Sequence, residues 1–151
     1  MRAPYAWLRE YCAPETTIAE LEHVLTSSGT KVEAIHHHGV SAPEHVVIGK
    51  VVRCEQHPDA DRLRVCTVDV GAAESVTIVC GAPNVAEGQT VVVAQPGTVM
   101  PNGMEIKQAK LRGVVSNGMI CSESELGLAP ESEGILALDV DAAPGTPALT
   151  L

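Results

Sequence analysis

From Val46 onward the sequence is a series of short β-branched runs, each closed by a turn-forming cluster, and this punctuation limits the folds open to it. The runs are 46–54, 63–70, 76–80, 90–94 and 135–138; between them stand His57-Pro58-Asp59, Gly81-Ala82-Pro83-Asn84, Gln95-Pro96-Gly97 and Pro101-Asn102-Gly103. Val, Ile and Thr suit a pleated, half-buried backbone, whereas Pro, Gly, Asn and Asp supply the dihedral angles that reverse it. The pattern predicts a small antiparallel barrel or sandwich rather than a parallel α/β sheet.

The core must be aliphatic. Phe is absent, and the aromatic residues Tyr5, Trp7 and Tyr11 all fall within the first eleven positions, so everything after Cys12 packs with Val, Leu, Ile, Ala, Met and Cys. With 45% hydrophobic residues in 151, the chain has the material for a real core. The five cysteines are widely spaced and never form a C-x-x-C pair, which signals neither a disulfide framework nor a zinc knuckle. Reduced thiols, and hence a cytoplasmic setting, are expected.

Ahead of the strand region, 16–29 reads as a helix. Thr17 and Glu20 make a capping box, Ile18, Leu21, Val24 and Leu25 share a face, and Gly29 stands where a left-handed C-terminal residue is wanted. Tyr5, Trp7, Leu8 and Tyr11 suggest a short amphipathic helix before it, and Lys31 to Ile35 alternate like a short strand. The polar stretch from His36-His37-His38-Gly39 to Pro43 marks a boundary, giving an α/β module at 1–39 and a β domain at 40–151.

The formal charge of −9 opposes indiscriminate attraction to a polyanion. Its distribution is uneven. Residues 45–112 carry Lys50, Arg53, Arg62, Arg64, Lys107, Lys110 and Arg112 against an equal number of acidic residues, and every charged residue after Arg112 is acidic. No apolar run approaches the ~18 residues of a membrane span, and the N-terminus lacks a signal-peptide core.

Catalytic patterns are weak. Gly113-Val114-Val115-Ser116-Asn117-Gly118 has one residue too many before the serine for a nucleophile elbow. Cys80 with His57 could pair as nucleophile and base, but a Cys that ends a Val-Thr-Ile-Val strand suits core packing. The His36–His38 run lacks a fourth metal ligand nearby, and no phosphate-binding glycine loop is present. No catalytic residue and no metal site is assigned.

A denser set of spacings begins at His57: His57-Pro58-Asp59-Ala60-Asp61-Arg62-Leu63, Ile78-Val79-Cys80-Gly81-Ala82-Pro83-Asn84, Lys110-Leu111-Arg112-Gly113-Val114-Val115-Ser116-Asn117-Gly118-Met119 and Cys121-Ser122-Glu123-Ser124-Glu125-Leu126-Gly127. In order and spacing these resemble the EMAP-type tRNA-binding domain. Residues 1–10, the helix and Lys31 to Ile35 are similar to the beginning of bacterial phenylalanine–tRNA ligase beta subunits. The resemblance implies a mainly β chain: a five-stranded OB-fold barrel with EMAP-type extra strands, preceded by a small incomplete α/β module. It implies a non-catalytic, tRNA-binding, cytoplasmic portion of a longer ligase that assists tRNA recognition. Its partners would be tRNA, the synthetase alpha subunit and the remaining beta-subunit domains, with no membrane. No cofactor is implied for this stretch, although the parent would resemble an ATP- and Mg-dependent ligase. The strip Leu8, Ile18, Leu21 and Leu25 would then lack part of its cover.

Carried onto this sequence, the resemblance marks Arg62, Lys110, Arg112, Ser116 and Met119 as RNA-binding. Arg62, Lys110 and Arg112 can neutralise phosphates, and Lys110 and Arg112 would share a face if extended. Ser116 could donate a hydroxyl hydrogen bond and Met119 a polarizable contact to a base. Equally, Ser116-Asn117-Gly118 could make a turn, Met119 could be core, and His57, Asp59 and Asp61 could organise their own turn. Lacking aromatic platforms, the barrel could not stack bases on rings and would read folded RNA through its backbone. Two other roles stay open: an assembly element of the synthetase with little RNA binding, and a free-standing tRNA-binding protein.

Overall fold

The computed structural model describes residues 3–12, 15–36, 40 and 43–148. The chain divides into two compact units, Met1–His37 and His38–Leu151. The boundary region at His37–Gly39 and most of the triple histidine lie outside the described residues.

The first unit holds helices α1 (Tyr5–Cys12) and α2 (Ile18–Ser27). The capping box is formed: the Glu20 N–H donates to Thr17 Oγ1 at 3.3 Å, and the Thr17 N–H donates to Glu20 Oε2 at 2.9 Å. At the other end Gly29 takes φ +96°, with Gly29 N–H bonded to Thr26 O and Thr30 N–H to Leu25 O. That pair of bonds satisfies carbonyls the last turn would leave bare. Neither helix contains a fully buried residue. The strand expected at Lys31–Ile35 does not form: the segment is irregular, because alternation makes a strand only where a neighbouring edge accepts its hydrogen bonds, and none is supplied.

The second unit is the expected OB-like β structure. Strands β1 (Val46–His57), β2 (Ala60–Asp69), β3 (Val76–Cys80), β4 (Thr90–Ala94), β5 (Ala109–Leu111), β6 (Val114–Ser116), β7 (Met119–Ile120) and β8 (Ala137–Leu138) follow in chain order. The main antiparallel sheet runs β3-β2-β1-β4-β7, with β8 also on β4, and β5 with β6 forms a separate two-stranded ribbon. The two ends of the main sheet approach each other. Asn117 N–H donates to Thr77 O at 2.8 Å and Val79 N–H to Ser116 Oγ at 3.0 Å, so the segment leading into β7 closes against β3.

β4 is buried at all five positions, which explains its unbroken Thr-Val-Val-Val-Ala run. Val91 and Val93 face one cluster with Val47, Val51, Val68, Ile78 and Ile120; Val92 and Ala94 face another with Val46, Met100, Ile106 and Leu126. Both clusters are aliphatic, as the missing rings require. Gly49 lets β1 pack closely on the first of them: a Cβ there would stand 2.7 Å from Val93 and 2.8 Å from Val68.

Candidate nucleic-acid interface

Two hairpins carry the predicted cations. The first is the β1–β2 tip, where His57 pairs with Ala60 around Pro58-Asp59. Gln56 Nε2 points at the carbonyls of Ala60, Asp61 and Leu63, at 3.0, 2.9 and 3.2 Å, and so stiffens the tip from outside the ladder. His57 is 2% exposed, and its Nδ1 accepts the Asp59 N–H at 3.0 Å. Asp59 and Asp61, expected to share this work, make no side-chain hydrogen bond among the described residues. Arg62 stands exposed two residues beyond Ala60, and Arg64 lies half-buried opposite Cys80.

The second hairpin is the β5–β6 ribbon. Its loop residues Arg112 and Gly113 have φ +45° and +91°. Left-handed angles at both central positions are those of a type I′ turn, whose twist suits a two-residue β loop. The expectation that Lys110 and Arg112 share one face of an extended strand is therefore corrected: Lys110 lies on β5, while Arg112 is at the apex of the loop. Lys110 is directly opposite Val115 in the ribbon and shares its face, with Val115 exposed; Leu111 is exposed beside it. Aliphatic surface thus flanks the cations, a feature not singled out in the sequence.

A hydrogen bond joins the hairpins. His57 Nε2 lies 3.2 Å from Leu111 O, between Lys110 and Arg112. A backbone N–H can only donate, so Nδ1 is the acceptor and Nε2 carries the proton that it donates to Leu111.

The other cations of 45–112 are already partnered, whereas Asp59 and Asp61 stand unpaired beside Arg62 among the described residues. Arg53 pairs with Glu55 and Lys107 with Glu105, each at 2.8 Å, and Lys50 Nζ donates to Thr90 Oγ1 at 3.4 Å. Arg62, Arg64, Lys110 and Arg112 make no ion pair among the described residues.

The other two predicted residues are placed differently. Ser116 is 3% exposed; its hydroxyl accepts from Val79 N–H and donates to Gly118 O at 3.2 Å, so it stands in for a ladder carbonyl where the sheet closes. Gly118 has φ +122°, and a Cβ there would sit 2.7 Å from Ala94 O. Met119 takes the packing role that the sequence allows, and its edge stays open to the surface. It packs half-buried on the Val46–Val92–Met100 cluster and edges an open cleft of about 490 Å³ that also touches Cys80, Ser122 and Glu125.

Cys80 is no nucleophile for His57. Burial raises its thiol pKa, the reverse of what a reactive cysteine requires, and both His57 ring nitrogens are engaged. Sequence reasoning missed Gln56, because an exposed glutamine carries no local mark of the three carbonyls it will meet. Arg64 could have been found from the Arg62-x-Arg64 alternation.

Residues 46–147 match the family model described as a putative tRNA-binding domain. The phenylalanine–tRNA ligase beta subunit of Nitratidesulfovibrio vulgaris is 56% identical over 132 residues, covering 87% of this chain and 16% of that protein. That of Shewanella oneidensis is 48% identical over 147 residues, 97% of this chain and 18% of that protein. The chain thus spans less than a fifth of these relatives' length. Among solved structures, the C-terminal domain of Plasmodium vivax p43 aligns with a TM-score of 0.41 and 29% identity over 50% of this chain and 43% of that one.

Proposed function

This chain belongs to the putative tRNA-binding domain family, and from that premise we propose that its barrel is the tRNA-contacting portion of a phenylalanine–tRNA ligase beta subunit. The observation that carries the reading is the set of four cations without ion pairs on two hairpins tied together by His57, while Arg53 and Lys107 are neutralised by their neighbours. Arg62, Lys110 and Arg112 engage phosphates, with Arg64 behind them; Leu111, Val115 and Met119 offer apolar contact to exposed sugar or base surface. Ser116 serves the interface by fixing the ribbon's base. No Phe, Tyr or Trp is available in the barrel for stacking, so the ligand is folded RNA read mainly through its backbone.

In this reading residues 1–151 bind without a cofactor and perform no step of the ligation. The alpha subunit and the rest of the beta subunit are its partners, in the cytoplasm. Among the described residues no helix is long and apolar enough to cross a membrane.

The net charge of −9 and the missing rings favour a second role, an assembly element with little RNA binding. A filter-binding titration separates the two. The tRNA-contacting reading gives saturable binding at low salt, with intact tRNA outcompeting an unstructured oligonucleotide of equal charge. Absence of saturable binding at low salt supports the assembly role.

A further inference from the structure

We infer that His57 is the positioning residue of this interface, a neutral imidazole that holds the ribbon tip against the β1–β2 tip so that cations of both engage one RNA backbone together. The inference rests on the RNA-contacting reading above and assigns the way in which that surface is assembled.

The ribbon is weakly held. β5 and β6 pair only with each other, and an isolated two-stranded hairpin is marginal in water. Its base is anchored by Ser116 to Val79 and by Asn117 to Thr77, with Gln108 Nε2 bonded to Asn117 Oδ1 at 2.6 Å. Near the apex the tie from His57 to Leu111 O does the holding. Cutting it leaves the barrel closed and the ribbon's foot fixed but frees Lys110 and Arg112 to swing. They would then have to be ordered at the moment of binding, which weakens the complex through those two side chains and not through Arg62.

The imidazole suits the task because its nitrogens serve two elements. Nδ1 fixes the turn at Asp59, and Nε2–H reaches across to the ribbon. An Asn at 57 places an oxygen where Nδ1 stands and keeps the turn but is too short to reach Leu111. A Gln places a donor near Nε2 and keeps the tie, while giving up the acceptor for the Asp59 N–H.

A double-mutant cycle on tRNA affinity, run on the 151-residue chain with thermal melts alongside, tests this. His57→Asn is expected to weaken binding about tenfold, as when one member of a coupled group is removed, and to lower the slope of log affinity against log salt by about 1.4–1.8, the share of two phosphate contacts. His57→Gln is expected to bind like the parent. The Asn effect must vanish in a Lys110→Gln/Arg112→Gly background and persist in an Arg62→Gln background. Equal losses in both backgrounds, or no loss in His57→Asn, would overturn the positioning role while leaving the interface standing. Failure of the unmodified chain to bind tRNA saturably would overturn both.

Discussion

Ser116 and Gly118 sit in the stretch that most resembles a binding motif, yet each is held by the fold. Removing the Ser116 hydroxyl leaves the Val79 N–H without its acceptor at a buried position, so Ser116→Ala should cost about 1–3 kcal/mol in urea unfolding. Gly118→Ala forces a side chain into a left-handed backbone against Ala94 O and should cost at least ~1–3 kcal/mol in the same assay. Arg112 is the complementary case: a non-glycine residue at φ +45°, which glycine adopts without strain. Arg112→Gly should therefore fold at least as stably while lowering the salt slope of tRNA binding by about 0.7–0.9, one phosphate contact. An unchanged slope would remove Arg112 from the interface. The sequence marked Ser116 but not which way its side chain faces. Whether Ser116 points inward depends on the segment after β6 lying across β3, almost forty residues earlier in the chain, and no local pattern encodes that meeting.

Among the elements, α2 was legible to within two residues at each end, because its capping box and Gly29 are local signals that act within a few positions. The strands were legible as β-branched runs, while the ribbon and β7 were not, since three short strands of two or three residues look like turn sequence. The Lys31–Ile35 segment failed for the opposite reason: its pattern is local but a strand's stability is not. The cap makes a pH prediction. The backbone N–H of Thr17, then the Thr16 and Thr17 hydroxyls, hold the Glu20 carboxyl below its ordinary pKa. A lowered pKa means that the stabilisation is present above the ordinary carboxylate range and is lost as pH falls through the lowered value. Thr17→Ala should move the Glu20 titration, followed by NMR, back toward its ordinary value and cost α2 about 0.5–2 kcal/mol. The thiols divide the units in a similar way. Burial pushes Cys66 and Cys121 up to about 12, with Cys54 adding to the shift at Cys66, while Cys12 is exposed. A thiolate-selective reagent at mildly alkaline pH should label Cys12 at once and Cys121 only as the barrel unfolds; prompt labelling of Cys121 in the native state would contradict the packing described.

At the scale of the molecule, an acidic chain can still offer cations to a polyanion because its acidic excess lies outside 45–112, where basic and acidic residues are equal in number: every charged residue after Arg112 is acidic, and Arg62, Arg64, Lys110 and Arg112 make no ion pair among the described residues. Composition revealed this imbalance; the meeting of the two hairpins through His57 and Leu111, 54 positions apart, needed the fold. Binding carried by a few phosphates on such a surface should be modest and sensitive to salt. The most direct measurement is therefore the affinity of this chain for tRNA across a series of salt concentrations, with an Arg62→Gln/Lys110→Gln/Arg112→Gly variant beside it. Four cations at one phosphate each give a slope of log affinity against log salt of about −3 to −4, falling to about −1 in the variant. Binding that ignores salt, or a variant whose slope matches the parent's, would contradict the claim that these hairpins are where the RNA is held.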